Sequence, residues 1–218
     1  GAGLALKLVA AMDGGDMTFA LEQFGDLAAI TTVADVVSLT GENRFLVQQG
    51  LRLLANTERP GLLALLELTG MQGKTLTATN LAFTLAPRIN AAGRFGSPKL
   101  AVSLLLAETM EEAMPLAKQL EQCNRQRKEA EADILQEIQE QIQGHPELVQ
   151  QRVLLFSGKD WHHGVIGIVA ARLEEQFGKP VMVLTIEGEQ ARGSARSFGD
   201  FSVFACLDAC RSHLTKYG

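Results

Sequence analysis

Proline, tryptophan and tyrosine are scarce in this chain: of 218 residues, six are Pro, one is Trp and one is Tyr. So little Pro excludes a Pro-rich or low-complexity tail of any length. No apolar run approaches the ~20 residues needed to span a bilayer as a helix. The opening GAGLALKLVAAM lacks the cleavage pattern of a secretory signal, so a soluble, cytoplasmic protein without a membrane partner is expected. Cysteine is limited to Cys123, Cys206 and Cys210, an odd and widely spaced set that argues against a disulfide framework and for a reducing compartment. Cys206 and Cys210 lie one helical turn apart and could pair on a metal, but the four Cys or His ligands of a closed site are not assembled around them in the sequence. All three read as buried thiols. Basic residues are outnumbered too, 20 against 25 acids for a net charge of −5. That average speaks against a nucleic-acid binder, whose affinity for phosphates comes from Lys and Arg.

What is present changes the picture. With 46% hydrophobic residues the chain can bury a sizeable core, as one large or two small domains. The charge is also unevenly spread. Between Glu67 and Glu108 the bases Lys74, Arg88, Arg94 and Lys99 occur with no acid, whereas 111–143 carry eight acids against four bases. The segment PRINAAGR (87–94) is therefore locally positive, as a groove tracking a nucleic-acid strand requires.

The chain is organised around Arg152 to Ser197. Val153 to Phe156 form an unbroken apolar run, short enough for a strand buried on both faces. WHHG (161–164) then leads into GVIGIVAARLEEQF, a helical pattern burying Val165, Ile168, Val169, Ala171, Leu173 and Phe177. Gly178 and Pro180 stop it, and Val181 to Ile186 make a second strand. Strand, helix and strand within about thirty residues define a βαβ unit, whose loop at Trp161, His162 and Gly164 precedes a helix N-terminus suited to an anion. An extended GSARS (193–197) follows. Ser194, Arg196 and Ser197 there read either as surface residues or as a phosphate grip, because Arg offers a rigid donor fork and Ser a single donor. Trp161 reads as a base-stacking ring or as core.

The rest is mainly helical. Gly1 to Met12 has helical spacing but no capping residue, as if cut from something longer, and a short helix is expected over Thr18–Phe24. Asp26 to Val37 reads as a strand burying Leu27 to Ile30, with Asp35 beyond its carboxyl end, where ligands of open α/β sheets sit. Asp35 is then a helix cap or the ligand of a hard cation. Helices follow over 42–55, 60–68 and 77–85; Pro87 to Arg94 breaks the pattern, offering Arg88, Asn90 and Arg94 as planar donors. Ser97-Pro98 caps another helix. Thr109 to Gln143 is one long helix of about 50 Å at ~1.5 Å per residue, apolar at its two ends and polar between, as a connector of two bodies should be. Phe201 to Lys216 reads as a last helix with Phe204, Leu207 and Leu214 inward.

Four ordered segments carry a family resemblance: LAAITTVADVVSLTGENRFLVQQGL (27–51), PRINAAGR (87–94), WHHGVIGIVAARL (161–173) and GSARS (193–197). Together they resemble the RecJ family of single-strand-specific 5′ to 3′ DNA exonucleases of the DHH phosphoesterase superfamily. The resemblance implies an α/β architecture in which 1–108 are the C-terminal part of a DHH domain, 109–143 a connecting helix, and 150–218 a DHH-associated nucleic-acid-binding domain lacking its C-terminal end. It implies roles in DNA repair and recombination, a Mn2+ (or Mg2+) cofactor, and single-stranded DNA with a 5′ end as partner. It makes Asp35 a manganese ligand and places Arg88, Asn90, Arg94, Trp161, His162, Gly164, Ser194, Arg196 and Ser197 along the strand.

The departures matter as much. The family's metal-binding DxD-type and DHH motifs, which precede the segment where this chain begins, are missing, and the paired His162 and His163 belong by resemblance to the DNA-binding domain. Two-metal hydrolysis needs ions ~3.5–4 Å apart, which Asp35 alone cannot assemble. The chain is expected to bind nucleic acid weakly, to hold no metal stably and to be inactive alone. A DHH phosphoesterase acting on nanoRNA or small phosphorylated molecules, and a non-catalytic scaffold, are the alternatives.

Overall fold

Asp16 sets the first long element in place. Its carboxylate accepts the N–H groups of Thr18 at 2.8 Å and Phe19 at 3.1 Å, satisfying donors that a helix start leaves open. The computed structural model describes all 218 residues, and they divide into two compact units, Gly1–Arg125 and Gln126–Gly218.

The first unit is helical throughout. Helix α1 (Ala2–Met12) precedes α2 (Met17–Ala34), and α3 (Gly41–Ala55) packs across α2. Their backbones touch at small residues: a Cβ on Gly50 would stand 2.3 Å from both the Ala29 Cβ and the Gly25 carbonyl oxygen. The strand expected over Asp26–Val37 is thus the second half of α2, with Asp35 as its C-cap. A short apolar run has no periodicity that separates strand from buried helix, and Ala28 and Ala29, good helix formers, let α2 run on past Phe24. Thr32 bonds its hydroxyl back to the Ala28 carbonyl at 2.7 Å.

Helix α4 (Pro60–Leu68) starts on a proline, where the missing N–H is harmless. A short turn of helix, α5 (Ala78–Asn80), continues through a π-helical turn over Leu81–Leu85 into α6 (Ala86–Phe95). PRINAAGR is therefore helical, contrary to the expected break. The π-turn, closed by the Ala86 N–H on the Leu81 carbonyl, supplies the slack that Pro87 requires. Helix α7 (Pro98–Leu105) and the front of α8 (Met110–Gly144) complete the unit around Leu54, Leu62, Leu65, Leu81, Leu85, Leu104 and Leu120.

The second unit takes the rest of α8, a 3-10 turn at Pro146–Gln150, and strands β1 (Leu154–Lys159), β2 (Val181–Glu187) and β3 (Gln190–Arg196). Helix α9 (His163–Phe177) joins β1 to the parallel β2, giving the βαβ unit, and β3 returns antiparallel with Val181 opposite Arg196. Gly178, at φ 60°, ends α9 in the left-handed conformation. Leu154, Phe156, Val181 and Val183 are buried on one face of the sheet, and α9, with Val165, Ile166, Val169, Ala170 and Leu173 buried, packs against β2 and β3. Here β1 departs from expectation: it is buried on one face only, with Leu155 53% exposed on the other. The last helix, α10 (Val203–Ala209), is shorter than 201–216, and Phe204 and Leu214 are exposed where they were expected inward. Cys123 is buried as expected, but Cys206 and Cys210 are exposed, because the short α10 packs through Val203 and leaves its other faces to solvent.

Candidate nucleic-acid interface

The sheet register decides which side chains of β3 can act together. Strand residues alternate faces, so Ser194 and Arg196, opposite Val183 and Val181, share the face that packs on α9. Arg196 reaches across that face. Its Nη2 donates to the main-chain oxygen of Gly167 on α9 at 2.8 Å, and its Nη1 donates to the Ser194 hydroxyl at 3.2 Å and the Ala195 carbonyl at 2.8 Å. Gly167 makes this approach possible: a Cβ there would lie 3.0 Å from Ser194 Oγ and 3.4 Å from Arg196 Nη2. Ser197 turns away, its hydroxyl accepting the N–H of Val203 at 3.1 Å and so anchoring α10 to the end of the strand.

At the start of α9, His162 is the N-cap. Its Nδ1 accepts the Gly164 N–H at 3.1 Å, and its ring stacks on that of His163 with centroids 5.1 Å apart. The structure thus gathers His162, Gly164, Gly167, Ser194 and Arg196 along α9 and the strand beside it. Gly167 is the member that sequence reasoning missed. The signal was the small residue inside GVIGIV, one turn after the helix start.

Four arginines are partly buried, and their partners differ. Arg59 pairs with Asp26 at 3.0 Å, Arg88 with Glu121 at 2.5 Å, and Arg127 with Glu131 at 2.9 Å. Arg196 alone is held by neutral oxygens. A half-buried guanidinium without a carboxylate keeps its full charge for an incoming anion, and its planar fork matches a phosphate.

The remaining candidates fall elsewhere. Arg88 is engaged twice, with Nε on Glu121 and Nη1 donating to the Thr84 carbonyl at 2.6 Å, so a phosphate would have to displace a carboxylate. The acidic helix α8 therefore neutralises one of the bases that the sequence left looking locally positive. Asn90 and Arg94 are exposed on α6. Trp161, read as a stacking ring or as core, is core: it is 3% exposed, its indole N–H donates to Glu137 Oε2 at 2.9 Å, and its ring lies against Gly158, so no face is open to a base.

Asp35 is exposed at the C-cap of α2, and no group of three His, Cys, Asp or Glu side chains converges there or elsewhere in the chain. His162 Nδ1 is already committed to Gly164. These residues do not fit a divalent-cation centre, which needs several oxygen or nitrogen donors on one point.

Residues 146–218 match the DHHA1 domain, which fixes the class of the sheet-bearing unit. Over its full length the chain is 37% identical to the single-stranded-DNA-specific exonuclease RecJ of Bacillus subtilis (strain 168), of which it covers 27%. It is 40% identical, over 81% of its length, to the exonuclease of the same name from Salmonella typhimurium, covering 31% of that protein. A crystal structure of RecJ from Thermus thermophilus in complex with Mn2+ superposes with a TM-score of 0.79 at 35% identity, covering 90% of this chain and 28% of the other. A structure of exonuclease RecJ bound to manganese gives 0.76 at 34% identity, with 90% and 48% covered. Along its length the chain is similar to members of the RecJ family, and it spans about a third of the length of the curated relatives it matches.

Proposed function

We propose that this chain supplies the strand-gripping part of a metal-dependent exonuclease that hydrolyses single-stranded DNA from a 5′ end during DNA repair and recombination in the cytoplasm. In this reading 1–108 derive from the DHH domain, 109–143 connect, and 150–218 hold nucleic acid. Ser194 and Arg196 take a phosphate beside the start of α9, while Asn90 and Arg94 add donors from α6. Mn2+ or Mg2+ would supply the hydrolytic chemistry of the whole enzyme, which no residue set of this chain fits; the chain's own residues bind and orient the strand. The observation that carries this reading is the half-buried Arg196, held by Gly167, Ser194 and Ala195 and lacking any carboxylate partner.

Fluorescence anisotropy tests it. The 218-residue chain is expected to bind a 5′-phosphorylated single-stranded oligonucleotide more tightly than its 5′-hydroxyl counterpart or a blunt duplex, and Arg196→Ala should remove the preference for the phosphate. Unchanged affinity in the variant removes Arg196 from the interface. With Mn2+ added, no nucleotide release above a mock-purified control is expected, since no set of metal ligands is assembled; release would show a hydrolytic centre within these residues.

A further inference from the structure

Phe83 is 79% exposed, the most open phenylalanine in the chain. One exposed apolar residue needs no explanation by itself. Its setting is unusual in three respects. It sits in the middle of the π-turn, Leu81–Leu85, a feature that concentrates at functional positions because it re-aims side chains relative to a regular helix. It is held there by its neighbours: Leu81 and Leu85 are fully buried, the Thr84 carbonyl is bonded by Arg88, and Pro87 cannot donate to the Phe83 carbonyl four residues back. It also begins a stripe. Phe83, Pro87, Asn90 and Arg94 recur at helical spacing, and Phe83, Asn90, Gly93 and Arg94 are exposed while Leu81, Leu85, Ala86, Ala91 and Ala92 are buried. Nothing crowds the backbone at Gly93, where a Cβ would meet no atom within 4 Å.

An aromatic face, an amide and a guanidinium along one open helix surface are the elements with which proteins hold a single strand, stacking a base on the ring and meeting phosphates or base edges with the donors. The charge agrees, since 68–107 contain four bases and no acid, although one of the four, Arg88, is paired with Glu121. We infer that Phe83 is a base-stacking residue for single-stranded nucleic acid, with Asn90 and Arg94 contacting the same strand. The inference rests on the nucleic-acid reading above but names a contact to a base, where Arg196 contacts a phosphate.

That difference makes the two separable. The probes are a labelled oligothymidylate and a strand of equal length whose sugars carry no bases, both 5′-phosphorylated. The wild-type chain should prefer the base-bearing strand. Phe83→Ala should weaken its binding by about fivefold or more, leave binding of the abasic strand unchanged, and leave the far-UV spectrum and Tm unaltered. Phe83→Trp should restore the preference. If Phe83→Ala binds both strands as the wild type does, or weakens both equally, Phe83 stacks no base and the inference fails while the phosphate reading stands. If the wild-type chain binds neither strand, both fail; if it binds both and Arg196→Ala changes nothing, only the phosphate reading fails.

Discussion

The Arg196 guanidinium donates to the main-chain oxygen of Gly167, 29 residues earlier, at 2.8 Å. A strand side chain is thereby fixed on a helix backbone through a position with little room for a side chain. Gly167→Ala sets two effects against each other. Alanine is favoured over glycine inside a helix by roughly 1 kcal/mol, while the new Cβ would sit 3.0 Å from Ser194 Oγ and 3.4 Å from Arg196 Nη2. Both neighbours are side-chain ends that can give way, so the fold should survive with its stability changed by less than ~1 kcal/mol. The displaced guanidinium should nevertheless bind a 5′-phosphorylated oligonucleotide severalfold more weakly. Thermal melting and anisotropy on the same sample check both halves; full affinity at unchanged Tm would mean that Gly167 does not position Arg196.

Gly158 and Gly193 offer a contrast within one sheet. A Cβ on Gly158 would fall 2.1 to 2.5 Å from three atoms of the Trp161 ring, which is rigid, buried and tied to Glu137. A Cβ on Gly193 would fall 2.5 Å from Leu184 Cδ2, the flexible end of a half-buried side chain. Overpacking a close-packed core costs about 1–3 kcal/mol or more, so Gly158→Ala should lower the denaturation midpoint of the second unit clearly. Gly193→Ala should change it by less than ~1 kcal/mol, since rotation of Leu184 relieves the contact. The ordering of the two midpoints in a urea titration is the decisive readout.

Much of this arrangement was legible in the residues, and the failures have common physical causes. The βαβ unit could be read because its strands, helix and Gly178 stop signal are all local features. Asp26–Val37 was misread because Leu27 to Ile30 carry no period, and only packing on α3 through Gly25, Ala29 and Gly50 shows the helix. The π-turn that lets Pro87 sit inside helical structure also has no local sequence signature. Arg88 looked available because its partner, Glu121, is distant in sequence and meets it only in the fold. The state of Arg196 was equally invisible, since what distinguishes it from Arg59, Arg88 and Arg127 is the absence of a carboxylate in space.

Asp26 is almost wholly buried, and its two oxygens are both used: Oδ2 by Arg59 Nε at 3.0 Å and Oδ1 by the Leu27 N–H at 2.7 Å. Arg59 also donates to the Gln23 carbonyl and lies over the Phe24 ring, 5.7 Å from its centroid. Breaking such a pair by removing one partner leaves an uncompensated charge and costs about 3–5 kcal/mol. Arg59→Met should therefore destabilise the first unit strongly. Adding Asp26→Leu should recover much of that loss, because the pair is removed together. A double-mutant cycle by chemical denaturation measures the coupling; strictly additive losses would show that the pair is not coupled.

Tyr217 is the only tyrosine of the chain, so its ionisation can be followed without interference. Its hydroxyl donates to Asp208 Oδ1 at 2.5 Å, and this bond raises its pKa above the ordinary value, with burial adding in the same direction. The sign follows from which form is favoured. The folded state prefers the protonated phenol, so the contribution to stability is complete below the unfolded pKa of about 10 and is lost as pH rises through the folded pKa. The phenolate absorbance in the near ultraviolet should thus appear at higher pH than for a free tyrosine. Asp208→Asn removes the charge on the acceptor and should move the midpoint back down, with no change in binding of single-stranded DNA, because Asp208 lies outside the group around Arg196. A midpoint that Asp208→Asn leaves in place would assign the shift to burial and would release the end of the chain from any dependence on this contact.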